Sequence, residues 1–168
     1  MRSTAILTTR KGRQKHRVVS PGEWLTARRK LLAREKKLTR ARDELSRRRR
    51  ELPWVRVEKD YVFEGPKGPR TLADLFEGRS QLVVYHFMFW PRDRQGCPSC
   101  SFWADHFDGP SVHLRQRDTT LAVVSHAPWG RLKAFKRRMG WRFPWFSSHG
   151  SDFNFDFGVS FTPREVKA

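Results

Sequence analysis

At 168 residues the chain has the length of one ordinary domain, enough for a core of its own once disordered ends are set aside. Its formal net charge is +18, but residues 1–50 hold 18 Lys and Arg against four acids, so that stretch carries +14 and the remainder only +4. This lopsidedness excludes a uniformly basic nucleic-acid-binding domain. Two cysteines exclude a multi-bridge secreted scaffold, and the longest apolar run, Leu82 to Trp90, is far short of the roughly 20 residues of a membrane-crossing helix.

Residues 1–17 are rich in Arg, Lys, Thr and Gln and cannot bury enough surface to offset ordering entropy, so a disordered basic tail is expected there. No apolar stretch of signal-peptide length follows, and the expected location is cytoplasmic. At Ser20 a helix announces itself: Ser20 as N-cap, Pro21 in the first helical position and Glu23 closing a capping box. The spacing of Trp24, Leu31, Leu38 and Leu45 draws one narrow apolar stripe along a long basic amphipathic helix, segment 18–51. The second heptad positions read Ala27, Arg34, Ala41 and Arg48, which argues against a strong zipper and for a single helix laid against the domain or a weak dimer contact. Arg47 to Arg50 form a cationic helix end, favoured by the macrodipole. No aromatic residues interleave to stack on bases, so neither nucleic acid nor membrane is an expected partner.

Segment 52–168 reads as a separate domain. Trp54–Val57 and Tyr61–Phe63 suggest a hairpin leading through Gly65-Pro66-Lys67-Gly68-Pro69 into a short helix around Thr71–Phe76. Gln81–Phe89 is apolar at nearly every position, as expected of a central strand buried on both faces. Ser101–Phe107 has helical composition, Thr120–Ser125 reads as a second buried strand, and Trp129–Met139 as an amphipathic helix stopped by Gly140. Strand, cysteine-bearing helix, strand, helix is a βαβ-type α/β unit with a parallel pair.

Cys97-Pro98-Ser99-Cys100 falls where that first strand meets its helix. A thiol at a helix N-terminus faces unpaired backbone N–H groups and the positive end of the dipole, both of which favour the thiolate. A dipole effect of about 1–2 kcal/mol lowers the thiol pKa by roughly one unit from about 8.5. Gly96, Pro98 and Ser99 support this placement, and Arg92 or Arg94 are candidates to add stabilising charge. Cys97 is then the nucleophile and Cys100 the resolving thiol. A zinc site needs two further ligands; six residues separate His106 from His113, beyond the usual His spacing, so no metal is expected. His86 reads as a hydrogen-bonded core residue and Asp105 as an exposed helix carboxylate.

The run GCPSCSFWADHFDG, Gly96–Gly109, preceded by LADLFEGRSQLVVYHFMF and followed by FKRRMGWRFPWFSSHGSDFNFDFGVSF, resembles a bacterial thioredoxin-like family of unknown function. That family is also described as predicted dithiol-disulfide isomerases linked to polyketide biosynthesis. WLTARRKLLAREKKLTRARDEL and ELPWVRVEKDYVF are similar too, so the likeness spans about Val18 to Phe161. It implies a thioredoxin-like fold behind a leading helix, with the active pair on Cys97 and Cys100. Trp90-Pro91 departs from the Gly and acidic residues of relatives, which makes the surroundings of Cys97 more positive.

The family continues past this C-terminus, and Gly140–Ala168 do not obviously furnish the antiparallel hairpin and closing helix of such a fold. The expectation is therefore an α/β, thioredoxin-like fold incomplete at its C-terminus, with Phe143, Trp145, Phe153, Phe155 and Phe157 left without partners, and with no cis-proline loop, since Pro163 lies in a polar tail. The expected activity is thiol-disulfide exchange on a protein or small-molecule disulfide, served by a dithiol reductant and no cofactor. The alternatives are an inactive truncated relative that binds through its basic helix, and a peroxiredoxin-like peroxidase, disfavoured by the Cys-Pro-Ser-Cys loop.

Overall fold

A computed structural model describes residues 16–162 and 165–167. The expected disordered tail therefore falls almost wholly outside the described residues, as does Pro163. The chain forms two compact units, Met1–Arg56 and Val57–Ala168.

Among the described residues of the first unit there is one helix, α1, Pro21–Arg50. Its start follows from side-chain chemistry: the Glu23 N–H donates to Ser20 Oγ at 3.3 Å while the Glu23 carboxylate accepts from the Ser20 N–H at 3.0 Å. None of its residues is buried, and Trp24, Leu31, Leu38 and Leu45 are each about half exposed. Glu44 ties Arg47 and Arg48 along one face, one helical turn away, and its carboxyl is held down to about 2 by those two guanidinium groups.

The second unit is built on a five-stranded sheet of order β2-β1-β5-β4-β3. Strands β1 (Val62–Gly65) and β2 (Gly68–Thr71) form an antiparallel hairpin, followed by a 3-10 turn at Ala73–Phe76. Gly68 takes a φ of +88°, which a glycine adopts without steric cost. The hairpin thus lies one element later than the sequence suggests: residues 54–57 form no strand, and Trp54 and Val55 are almost fully exposed.

Strand β3 (Gln81–His86) pairs in parallel with β4 (Thr119–Ser125), and β4 pairs in parallel with β5 (Trp145–Ser147). Strand β3 is an edge strand, with Val83 46% exposed, and this corrects the expectation of a central one. The strand buried at every position is β4. Between β3 and β4 come two helices, α2 (Pro98–Ala104) and α3 (Asp108–Arg115); between β4 and β5 comes α4 (Trp129–Met139), which ends at Gly140 with φ +73°.

The two sheet faces carry two separate cores, and β4 feeds both because its side chains alternate. Val123 points into a cluster with Phe87, Phe89, Cys100, Leu132, Phe135 and Trp145, covered by α2 and α4. Ala122 and Val124 point the other way, to Tyr61, Phe63, Leu75, Phe146 and Phe153. The C-terminal aromatics are therefore not orphans. Phe143, Trp145 and Phe153 are at most 2% exposed, because β5 inserts between β1 and β4 and the short helix α5 (Phe153–Asp156) seats Phe153 on the second face. Of the five, Phe155 and Phe157 remain partly exposed, at 39% and 44%. Among the described residues no helix is long and apolar enough to cross a membrane.

Candidate active site

The site sits where β3 ends and α2 begins, and the chain between them is held at several points. Past the last strand residue the pairing with β4 continues: the Phe87 N–H donates to the Val124 carbonyl at 2.8 Å, and the Ala127 N–H donates to the Phe89 carbonyl at 2.8 Å. Ser125 Oγ, fully buried, donates to the Phe87 carbonyl at 2.7 Å and accepts from the Trp145 indole N–H at 3.0 Å. The loop Trp90–Gln95 is braced from α4 by Arg131, whose guanidinium donates to the carbonyls of Pro91 and Asp93. The chain then returns to the sheet, where the Cys97 N–H donates to the Met88 carbonyl at 3.0 Å.

Gly96 is buried, and a Cβ built on it would lie 2.6 Å from the Phe87 ring and 3.2 Å from that of Phe135. The glycine is needed for close approach rather than for an unusual backbone angle. Next, Cys97 is the N-cap of α2, in extended backbone with φ −56° and ψ 128°, and Pro98 fills the first helical position, where a missing N–H costs nothing. The Cys97 sulfur accepts the backbone N–H of Cys100 at 3.5 Å. Ser101 closes the turn, donating both its N–H and its hydroxyl to the Cys97 carbonyl.

The two thiols, both free, have opposite environments. Cys97 is partly exposed, and the N–H of Cys100, assisted by the Cys100 thiol and the Ser99 N–H, draws its pKa below the ordinary value. Cys100 is 6% exposed, and burial pushes its thiol up, opposed by the Met88 N–H and the Tyr85 hydroxyl. The Tyr85 phenol is itself raised by burial and by that same thiol. Arg92 and Arg94 lie exposed in the preceding loop, and neither is among the groups that lower Cys97.

His86 takes a role other than that expected, while Asp105 is exposed as expected and gains a partner. His86 is not hydrogen-bonded through its buried Nδ1; it stacks on Phe153 with centroids 5.4 Å apart, and burial lowers its pKa. Asp105 accepts the Trp141 indole N–H at 2.7 Å, which ties the end of α2 to the segment after α4. His106 bonds the Phe102 carbonyl within its own turn, and His113 lies on α3. Among the described residues no group of three or more His, Cys, Asp or Glu side chains is arranged to hold a metal ion.

The sequence pattern assigns no site role to Tyr85, His126 or Arg131. Tyr85 was visible in principle, since it shares the face of Phe87 and Phe89 by strand alternation, the side toward which the cysteines return. His126, with an unpartnered buried Nδ1, lines with His86, Phe89, Trp90 and Cys100 a cavity of about 310 Å³. Nothing in its sequence context marks that role.

Fold and site together define a mixed α/β protein that carries a dithiol at a helix N-terminus. Residues 13–168 match the family described as bacterial protein of unknown function (DUF899), and the chain belongs to that family. No curated protein matches. Among solved structures, the chain is similar to a candidate protein disulfide isomerase from Bacteroides thetaiotaomicron, with 22% identity over 58% of this chain and 61% of that one and a TM-score of 0.41. It is also similar to a cysteine-to-serine mutant of PrxQ from Xylella fastidiosa, with 16% identity over 70% of this chain and 74% of that one and a TM-score of 0.49. The chain thus spans less than two thirds of the length of the first of these.

Proposed function

We propose that the protein performs thiol-disulfide exchange on a thioredoxin-like scaffold. The observation that carries this reading is the Cys97 sulfur at the N-cap of α2, accepting the Cys100 N–H, with a buried partner thiol one turn in. The Cys97 thiolate attacks one sulfur of a substrate disulfide, forming a mixed disulfide and expelling the other half as a thiolate that takes the bond's electron pair. Cys100, deprotonated, attacks the Cys97 sulfur, forms the Cys97–Cys100 disulfide and releases the second substrate thiolate. Two electrons pass from the dithiol to the substrate, and an external dithiol returns them.

The asymmetry of the pair supports this order. An exposed, acidified thiol attacks readily, and a buried, weakly acidic one stays protonated until the mixed disulfide forms beside it. Cytoplasmic residence fits a protein kept reduced between turnovers.

The test uses the full chain with Cys100→Ser and, separately, Cys97→Ser. With a model disulfide or insulin, Cys100→Ser is expected to accumulate a covalent adduct on Cys97, reversible by dithiothreitol, while Cys97→Ser forms none. Adducts on Cys100 in the Cys97→Ser protein at the same rate, or no adduct in either, would refute the assignment.

A further inference from the structure

Beside the cysteine loop lies a second recess, about 260 Å³, lined by Phe89, Arg94, Arg131, Ala134, Phe135 and Arg138. It shares Phe135 with the surroundings of the cysteine loop: the Phe135 ring lines the recess and lies 3.2 Å from where a Cβ on Gly96, the residue before Cys97, would stand. Three guanidinium groups meet there. Arg131 is fixed by the Pro91 and Asp93 carbonyls and stands over the Phe89 ring at 5.4 Å; Arg138 stands over the Phe135 ring at 4.5 Å; Arg94 comes from the loop itself. Among the described residues none of the three has a carboxylate within 4.0 Å. Asp93, the acid nearest in sequence, instead accepts the Trp90 N–H through its carboxylate at 2.8 Å.

Three cations without a carboxylate partner line the recess, Arg131 and Arg138 of them over aromatic rings. With the Arg131 fork engaged by the loop carbonyls, Arg94 and Arg138 are the guanidinium groups whose planar forks match a carboxylate, and the Arg131 charge adds to the attraction. We infer that this recess selects the substrate of the exchange reaction: a disulfide bearing a carboxylate a few bonds from its sulfur, held so that the sulfur faces Cys97. The inference rests on the exchange reading and adds the charge of the substrate to it. The bonds made and broken are those of the exchange already given, with the carboxylate remaining ionised throughout.

The test is a single-turnover series with the reduced full chain and three small disulfides: 3,3′-dithiodipropionate (anionic), bis(2-hydroxyethyl) disulfide (neutral) and cystamine (cationic). Each rate constant is divided by that for dithiothreitol attack on the same disulfide, which removes differences in leaving-group acidity. The corrected anionic-to-cationic ratio is expected on the order of tenfold or more and to fall as salt is raised. Because the whole chain is basic, Arg138→Glu is compared with Arg29→Glu, an equal charge change on α1. Arg138→Glu is expected to abolish or invert the ratio, and Arg29→Glu to leave it within about twofold. Equal corrected rates for the three disulfides, or a ratio moved alike by both variants, would overturn the charge inference alone. No reaction with any of the three would overturn the exchange reading and, with it, this one.

Discussion

A Cβ on Gly96 would stand 2.6 Å from the ring of Phe87, so the residue before Cys97 is pressed against the chain that leaves β3. Gly96→Ala must move either the ring, which packs on Trp141 and Trp145, or the loop that aims Cys97. Overpacking of this kind costs about 1–3 kcal/mol. Gly109→Ala, in the first turn of α3 with open space around it, is expected to be neutral or stabilising by up to ~1 kcal/mol. Urea unfolding of the two variants beside the parent checks the contrast.

The Tyr85 hydroxyl favours the ionised form of the Cys100 thiol, against the burial that raises it. Tyr85→Phe removes that help and leaves the Cys97 thiol with its backbone donors. Loss of one hydrogen bond to a developing thiolate, about 1–1.5 kcal/mol, is expected to slow release of the mixed disulfide roughly five- to tenfold while the first attack changes little. Stopped-flow separation of adduct formation from release reads both steps.

His86 and His126 are each lowered below the ordinary imidazole value by burial, and the charge of His149 adds to the effect at His126. A base with a depressed folded pKa binds fewer protons folded than unfolded, so stability rises with pH through the window between the folded value and about 6.5. Acidification from about pH 7.5 to 5 should therefore lower the Tm of the parent, before carboxylates titrate. His86→Gln with His126→Gln is expected to flatten that slope, as measured by calorimetry across the same range.

Trp145 is fully buried at the meeting of β5, α4 and the strand ends, and its indole N–H is bonded to Ser125. Trp145→Ala is expected to cost about 3–5 kcal/mol. Trp145→Phe is expected to cost less in volume but to deprive Ser125 Oγ of its donor and loosen the Phe87 carbonyl it supports. Amide exchange at Phe87 and Ala127 would register that loosening.

The parts readable in the sequence were those set by local rules. The Ser20–Glu23 capping box, the stop of α4 at Gly140 and the cysteines at a strand-to-helix junction each depend on neighbours a few residues away. Lateral order in the sheet does not. Residues 81–86 read as apolar whether or not a strand lies on both sides, and only the observed pairing shows that β3 has a free edge. Strand β5 has three residues, too few for alternation to show, yet it supplies Trp145 and Phe146 to the two cores. Helix α3 has no expected counterpart in the sequence; its Asp108 carboxylate accepts the N–H groups of Arg142 and Phe143, 34 and 35 residues away, a partnership that no local pattern reveals. At the site, the placement of the two cysteines at the start of α2 was legible, whereas Tyr85, Arg131 and Phe135 reach it through contacts between elements distant in sequence.

The most direct measurement is alkylation of the reduced protein with iodoacetamide across pH 5 to 10, with the Cys97 and Cys100 peptides resolved by mass spectrometry. Two separate inflections are expected, that of Cys97 below the free-cysteine value of about 8.5 and that of Cys100 above it. Coincident inflections, or a Cys97 inflection at or above that of free cysteine, would contradict the exchange reading.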